Sequence, residues 1–307
     1  MNGVQAGSFP LFQVGGISVR LHWSWLVVAA IELNTRTNEY SSAFWNLAEY
    51  LTLFGIVLLH EFGHALVCRQ VGGRANQIVL WPLGGIAYVN PPPRPGAVLW
   101  SIAAGPLVNV FLVPLTLGCF LIGSVLGWRE SLPDVNHYLL TVVVMNISLL
   151  VFNLLPVYPL DGGQILQALL WFVVGQARSL MIVSVIGIIA GGSLVLLALA
   201  VRGFWLGLIA AFVVLRAISG FQQARILQRL AQMPRHEDLV CPFCGRSPIK
   251  GDFWTCHICH QRFDTFEHRA VCPNCSERFP VTACPECGQR HPFEQWFPAR
   301  RADTCSG

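Results

Sequence analysis

Long apolar stretches constrain this chain before anything else does. Crossing ~30 Å of hydrocarbon takes an α-helix of ~20 residues, and about six stretches reach or approach that length. They run over Ile17–Leu33, Ala43–Val67, Val98–Leu126, Tyr138–Leu155, Ser179–Val201 and Phe204–Phe221. Only 12% of the 307 residues are charged, against roughly 25% in an ordinary soluble domain. Such stretches need lipid around them, and the fold class they predict is an all-α polytopic membrane protein. The first stretch carries Arg20 and His22, which places its lower end at the interface. Met1–Gly16 lacks the basic start and the cleavage site of a signal peptide, so the first span is expected to stay in the product.

Charge divides the chain in two. The whole +4 surplus lies in the residues up to and including Arg229, while from Arg235 to Asp303 nine basic and nine acidic residues cancel. A membrane-embedded domain over 1–230 and a soluble domain over 231–307 are therefore predicted. Six spans put both termini on one side. The short loops of that side hold Arg20, Arg69, Arg74, Arg94, Arg178, Arg225, Arg229 and Arg235, and the opposite loops only Arg36, Arg129 and Arg202. The positive-inside rule then places both termini in the cytoplasm, with the chain crossing the cell (inner) membrane several times.

One apolar run is too short to span. Gln77–Asn90 is broken by Pro82, Gly84 and Gly85 and followed by Pro91, Pro92 and Pro93, so two short strands around a turn, near 77–90, are expected. Bare strands cannot face lipid, so such a hairpin lies on protein or a wet cavity. A loop resting on the surface is the other reading.

Inside the second span stands His60-Glu61-Phe62-Gly63-His64. Residues four apart share one helix face, so both imidazoles reach one metal ion and Glu61 leans over the same site. Ionisable groups in a span are costly, ~2.5–3.5 kcal/mol for Asp at the helix centre, and mark function or water. The competing reading is a polar cluster joining helices. A catalytic zinc has three protein ligands and a water, and Asp161 is the candidate third ligand. It follows Pro156 and Pro159, which end the fourth span, and precedes Gly162-Gly163, where the backbone can turn. Asp161 also reads as a plain turn or the cap of the next helix. Cys68, one turn beyond His64, and Asp134, in the loop before the fourth span, are the competing ligands.

These motifs resemble the site-2 protease family of intramembrane zinc metallopeptidases. The likeness rests on His60–His64, on N-x-x-P-x-x-P-x-D-G from Asn153 to Gly162, and on Gly105-Pro106-Leu-Val-Asn109 in the third span. The opening FPLFQVGGISVRLHWSWLVVA is similar to its bacterial members, so the resemblance covers residues 9–226. It implies that His60, His64 and Asp161 bind zinc and that Glu61 is the catalytic base. It also implies that the hairpin lies beside the active site, that the site opens toward the cytosol, and that Asn109 and Asn153 shape the pocket. Interhelical hydrogen bonding is the other reading of the two asparagines. Some relatives carry a PDZ segment between spans or paired nucleotide-binding modules at the end, which this sequence lacks. The implied activity is hydrolysis of peptide bonds in membrane-spanning or membrane-anchored substrates, with the lipid bilayer as the setting. A zinc-handling membrane protein, a transporter or sensor with a metal-binding tail, is the alternative.

Eight of the 11 cysteines fall beyond Pro234 in four C-x-x-C pairs: Cys241/Cys244, Cys256/Cys259, Cys272/Cys275 and Cys284/Cys287. Two pairs supply four thiolates to a tetrahedral structural zinc, so the tail reads as a β-rich double zinc ribbon holding two Zn2+, besides one catalytic Zn2+ in the spans. Short strands are expected at Phe253–Thr255 and Arg262–Asp264. Sites drawn from neighbouring or from interleaved pairs both remain open. His257, His260 and His291 are read as bystanders, Cys119 as an apolar filler and Cys305 as a free thiol. Balanced charge leaves no footprint for nucleic acid, so a protein partner of the ribbons, or a passive appendage, is expected.

Overall fold

The computed structural model describes residues 7–35, 39–81 and 84–297; Cys305 lies outside them. In chain order come β1 (Ser8–Val14), β2 (Ile17–His22), α1 (Ser24–Thr35), α2 (Ala43–Gln70), β3 (Arg74–Trp81), β4 (Gly84–Asn90), α3 (Pro95–Val125), α4 (Pro133–Leu154), α5 (Asp161–Val174), α6 (Gln176–Ala200) and α7 (Phe204–Gln232). The tail adds the short strands β5 (Trp254–Thr255), β6 (Arg262–Phe263), β7 (Val281–Ala283) and β8 (Arg290–Pro292). Among the described residues five helices, α2, α3, α4, α6 and α7, are long and apolar enough to cross a membrane. A helix satisfies its own backbone, which is what lets it stand in hydrocarbon. Their outer faces carry bare apolar side chains such as Phe111, Ile189 and Leu215, as a lipid-facing surface does.

The predicted first span is corrected. Ile17–Leu33 is divided between strand β2 and helix α1, whose 12 residues rise only ~18 Å. The cause is period: in ISVRLH the residues Ile17, Val19 and Leu21 are buried and their neighbours half-exposed, the alternation of a strand with one covered face. Counting apolar residues without their period merged a strand with a short helix. With five membrane-length helices among the described residues in place of six, parity no longer puts both termini on one side. The sheet supplies another constraint: β2 pairs parallel with β3, which follows the end of α2, so the amino-terminal strands lie at the same end of the bundle as Gln70.

The expected hairpin is present as β3 and β4, antiparallel from Arg74↔Asn90 to Trp81↔Gly84. It belongs to a larger sheet in the order β1-β2-β3-β4, which leaves β4 at an edge. Ile17, Val19, Leu21, Ile78 and Leu80 pack with Trp25, Val57, Ala65 and Cys68 in one core, so the strands rest on α2. Helix α4 ends at Leu154, and α5 begins at Asp161 after the Pro156 and Pro159 turn.

The chain divides into two compact units, Met1–Arg225 and Ile226–Gly307, with the boundary inside α7. The second unit holds two small hairpins, β5-β6 and β7-β8, the first close to the expected strands. Its core is aromatic: Trp296 is fully buried and Phe266 meets it edge-on with ring centroids 4.8 Å apart. Asp264 fastens the interior. Its carboxylate accepts from the Gly251 and Phe266 amides at 2.8 and 2.9 Å and from His236 Nε2 at 2.9 Å. Burial pushes that carboxyl up, but the Gly251 amide and the His236 imidazole outweigh burial and hold it below the usual carboxylate range. Asp264→Ala strands these donors and should cost roughly 2–3 kcal/mol, read as faster amide hydrogen exchange across the tail strands.

Candidate metal centre

Two helices carry the three ligands. His60 and His64 stand one turn apart on α2, rings at 82° and centroids 4.8 Å apart, with their Nε2 atoms separated by 3.1 Å. Asp161 is the first residue of α5, and its Oδ2 lies 3.0 Å from His60 Nε2 and 3.4 Å from His64 Nε2. Gly162 and Gly163 permit this start: a Cβ on either would strike the backbone of Leu154–Leu155 or Val157–Tyr158. The competing ligands lie elsewhere. Cys68 points its thiol at the Arg74 carbonyl, 3.6 Å away, and the Asp134 carboxylate accepts from Ser41.

The outer nitrogens decide what the inner ones offer. His64 Nδ1 lies 3.0 Å from the Ser101 carbonyl, which only accepts, so Nδ1 carries the proton and Nε2 presents a lone pair. His60 Nδ1 donates to Asn109 Oδ1 at 2.6 Å. Two lone pairs and a carboxylate thus converge, an arrangement that repels itself unless a cation sits among them. The separations of 3.0–3.4 Å match the ~3.3 Å edge of a tetrahedron with ~2.05 Å metal–ligand bonds. The donor set fits zinc.

Glycines let backbone close on the site. A Cβ at Gly105 on α3 would fall on both imidazoles, one at Gly63 would meet the Ala104 carbonyl at 2.7 Å, and one at Gly85 on β4 would fall on the Glu61 carboxylate. The hairpin therefore reaches the site through Gly85, and Glu61 is buried beneath it at 5% exposure.

Asn109 is brought to the ligands, where its Oδ1 meets His60 Nδ1. Asn153 is half-buried near the end of α4, and none of the described hydrogen bonds joins it to the cluster. Asn146, one helical stretch earlier on α4, was missed; it is fully buried and bonded to Asn109 at 2.8 Å. A lone carboxamide within LLTVVVMNISLLV was its signal, since hydrocarbon penalises an unpaired amide.

In the tail the pairing is nested. Cys241, Cys244, Cys284 and Cys287 form an outer group and Cys256, Cys259, Cys272 and Cys275 an inner one. Cross-pair sulfur separations of 3.5 to 3.9 Å fit the ~3.8 Å edge of a tetrahedral thiolate site and are far from a covalent S–S bond. His257 lies 3.8 Å from Glu277 rather than in either group.

A family model described as peptidase family M50 matches residues 48–134 and 123–199. A zinc metalloprotease of Methanocaldococcus jannaschii is 36% identical over 186 residues, covering 59% of this chain and 50% of its own length. Stage IV sporulation protein FB of Bacillus subtilis is 29% identical over 156 residues, 49% of this chain and 46% of that protein. The chain spans about half the length of these curated relatives. A solved site-2 protease from Methanocaldococcus jannaschii aligns with a TM-score of 0.53 at 28% identity, covering 70% of this chain and 95% of that one.

Gly105→Ala, which presses a methyl group on both imidazoles, should strip one metal equivalent from the purified chain. Gly85→Ala presses on Glu61 instead and should leave metal content unchanged. Elemental analysis of the two variants checks both.

Proposed function

Because the chain belongs to peptidase family M50, the site-2 protease family, we propose that it is an intramembrane zinc metalloendopeptidase acting on membrane-spanning or membrane-anchored proteins. The observation that carries this reading is the convergence of His60, His64 and Asp161 within bonding reach of one ion, with Glu61 beside His60. His60 and His64 would hold the ion through Nε2 and Asp161 through its carboxylate. When bound, zinc lowers the pKa of a water to ~7 and polarises a peptide carbonyl. Glu61 would accept a proton from the attacking water and pass it to the leaving amine. A substrate helix hides its carbonyls in its own ladder and must unwind before attack. The unwound strand would add to β4, the edge strand that lies over Glu61.

We infer that the end of the bundle holding the amino-terminal strands is cytoplasmic. Arg69, Arg74 and Arg94 flank the end of the bundle where β2 joins β3, and positive residues favour the cytosolic face. The two cysteine groups are assigned to structural zinc ions, one each, that hold a tail with little core of its own. We read that tail as a contact for a protein partner, because its balanced nine basic and nine acidic residues give no footprint for nucleic acid. The alternative of a zinc transporter or sensor is not favoured: among the described residues the spans carry one ligand cluster, whereas a transport path needs a succession of them.

Glu61→Gln should lower cleavage of a reconstituted membrane substrate by at least ~100-fold while zinc stays bound; retained turnover excludes the assignment. The parent chain should hold three zinc equivalents, and Cys256→Ser with Cys272→Ser should reduce that to two with cleavage retained.

A further inference from the structure

Two carboxamides are buried without exposure between the spans, Asn109 on α3 and Asn146 on α4. Their polarity is set by one atom. The Asn146 side chain places a polar atom 3.3 Å from the Asn109 backbone carbonyl, which can only accept, so that atom is the Nδ2 amide. Asn146 Oδ1 is thereby left facing the Asn109 side chain at 2.8 Å and receives Asn109 Nδ2–H. Asn109 must then turn Oδ1 toward His60 Nδ1, 2.6 Å away, and that nitrogen must carry the proton. A backbone carbonyl thus dictates, through two amides, which nitrogen of His60 offers a lone pair.

We propose that Asn146 is a positioning residue for the metal ligand: it locks the Asn109 amide in the one orientation that keeps His60 Nε2 free for the cation. The proposal rests on the metal-site reading and adds to it a residue outside the H-E-x-x-H, G-P-x-x-N and N-x-x-P-x-x-P-x-D-G strings. Without Asn146 the Asn109 amide loses the partner that tells oxygen from nitrogen. In the flipped orientation it offers N–H to His60 Nδ1, which drives the proton to Nε2, into the metal's place. His64 has no such dependence, because its Nδ1 donates directly to the Ser101 carbonyl.

The other role such a pair can play is interhelical adhesion between α3 and α4, and a mutant cycle separates the two. Asn109→Asp puts a carboxylate against His60 Nδ1, an acceptor in either orientation, so it should make Asn146 dispensable. The measurement is zinc affinity of the full chain in detergent, by chelator competition, scored on the equivalent that His60→Ala removes. Asn146→Leu alone should weaken that site about 10-fold or more, and in the Asn109→Asp background its effect should fall to within about twofold. Adhesion alone predicts the same loss in both backgrounds. Equal losses, or a span-site affinity for Asn146→Leu within about twofold of the parent, overturn the proposal; if the leucine variant does not elute as a folded species, Asn146→Ala is carried through the same cycle. Cleavage is scored separately. A parent that binds zinc in the spans and cuts nothing sinks the peptidase reading and leaves the relay standing, whereas unmoved zinc affinity does the reverse.

Discussion

Two imidazole lone pairs and a carboxylate held within 3.4 Å of one another make up a site that cannot exist in hydrocarbon by itself. In a medium of low dielectric their mutual repulsion is barely screened, so the fold must either bring a cation or push the groups apart. Everything around the cluster works against separation. Ser101 and the Asn109 amide occupy the outer ring nitrogens, and the break after α4 delivers Asp161 at the start of α5. A preorganised nest of this kind binds its ion without rearrangement, which is what a catalytic metal requires.

Close backbone approach is the second condition, and it follows from the first. Ligands from α2 and α5 can share one ion only if α3 comes near enough to back both rings, and the lack of side chains at Gly63 and Gly105 permits that. Small residues play this part widely between membrane helices, where packing replaces the hydrophobic effect as the force of association. Gly85 extends the same logic to the sheet. It lets β4 lie on Glu61, so this carboxylate is roofed by an edge strand of the sheet.

Much of this was legible from residues alone. The spacing of His60 and His64, the helix break before Asp161 and the cysteine pairs each express a local rule, and local rules survive folding. What escaped reading was relational. Arg20 looked like a charge at the foot of a span, yet it is bonded to Ser8 across a strand pair. The β1-β2 pair was lost because a run such as ISVRLH scores as apolar whether it coils or extends. Asn146 was lost because its partner sits 37 positions away, and only the α3–α4 contact brings the two together. Asn153 was attractive for its place in a motif, but its carboxamide is joined to the ligands by none of the described bonds.

The nested cysteine groups are not what chain entropy alone selects, since joining neighbouring pairs would close shorter loops. Joining Cys241 to Cys287 directly closes 46 residues, whereas joining Cys256 to Cys275 closes 19. Loop closure costs rise as the logarithm of length, about 0.6 kcal/mol per doubling, so the inner group is the cheaper one to form first. Closing the inner group shortens the free chain between the outer pairs, and between the two groups the Trp254 indole N–H donates to the Ala283 carbonyl at 3.1 Å. Neighbouring pairs taken in sequence would give two independent beads joined by a linker. The nested order sets the inner site within the stretch that the outer one closes, so both belong to one body although it has few aliphatic residues to bury.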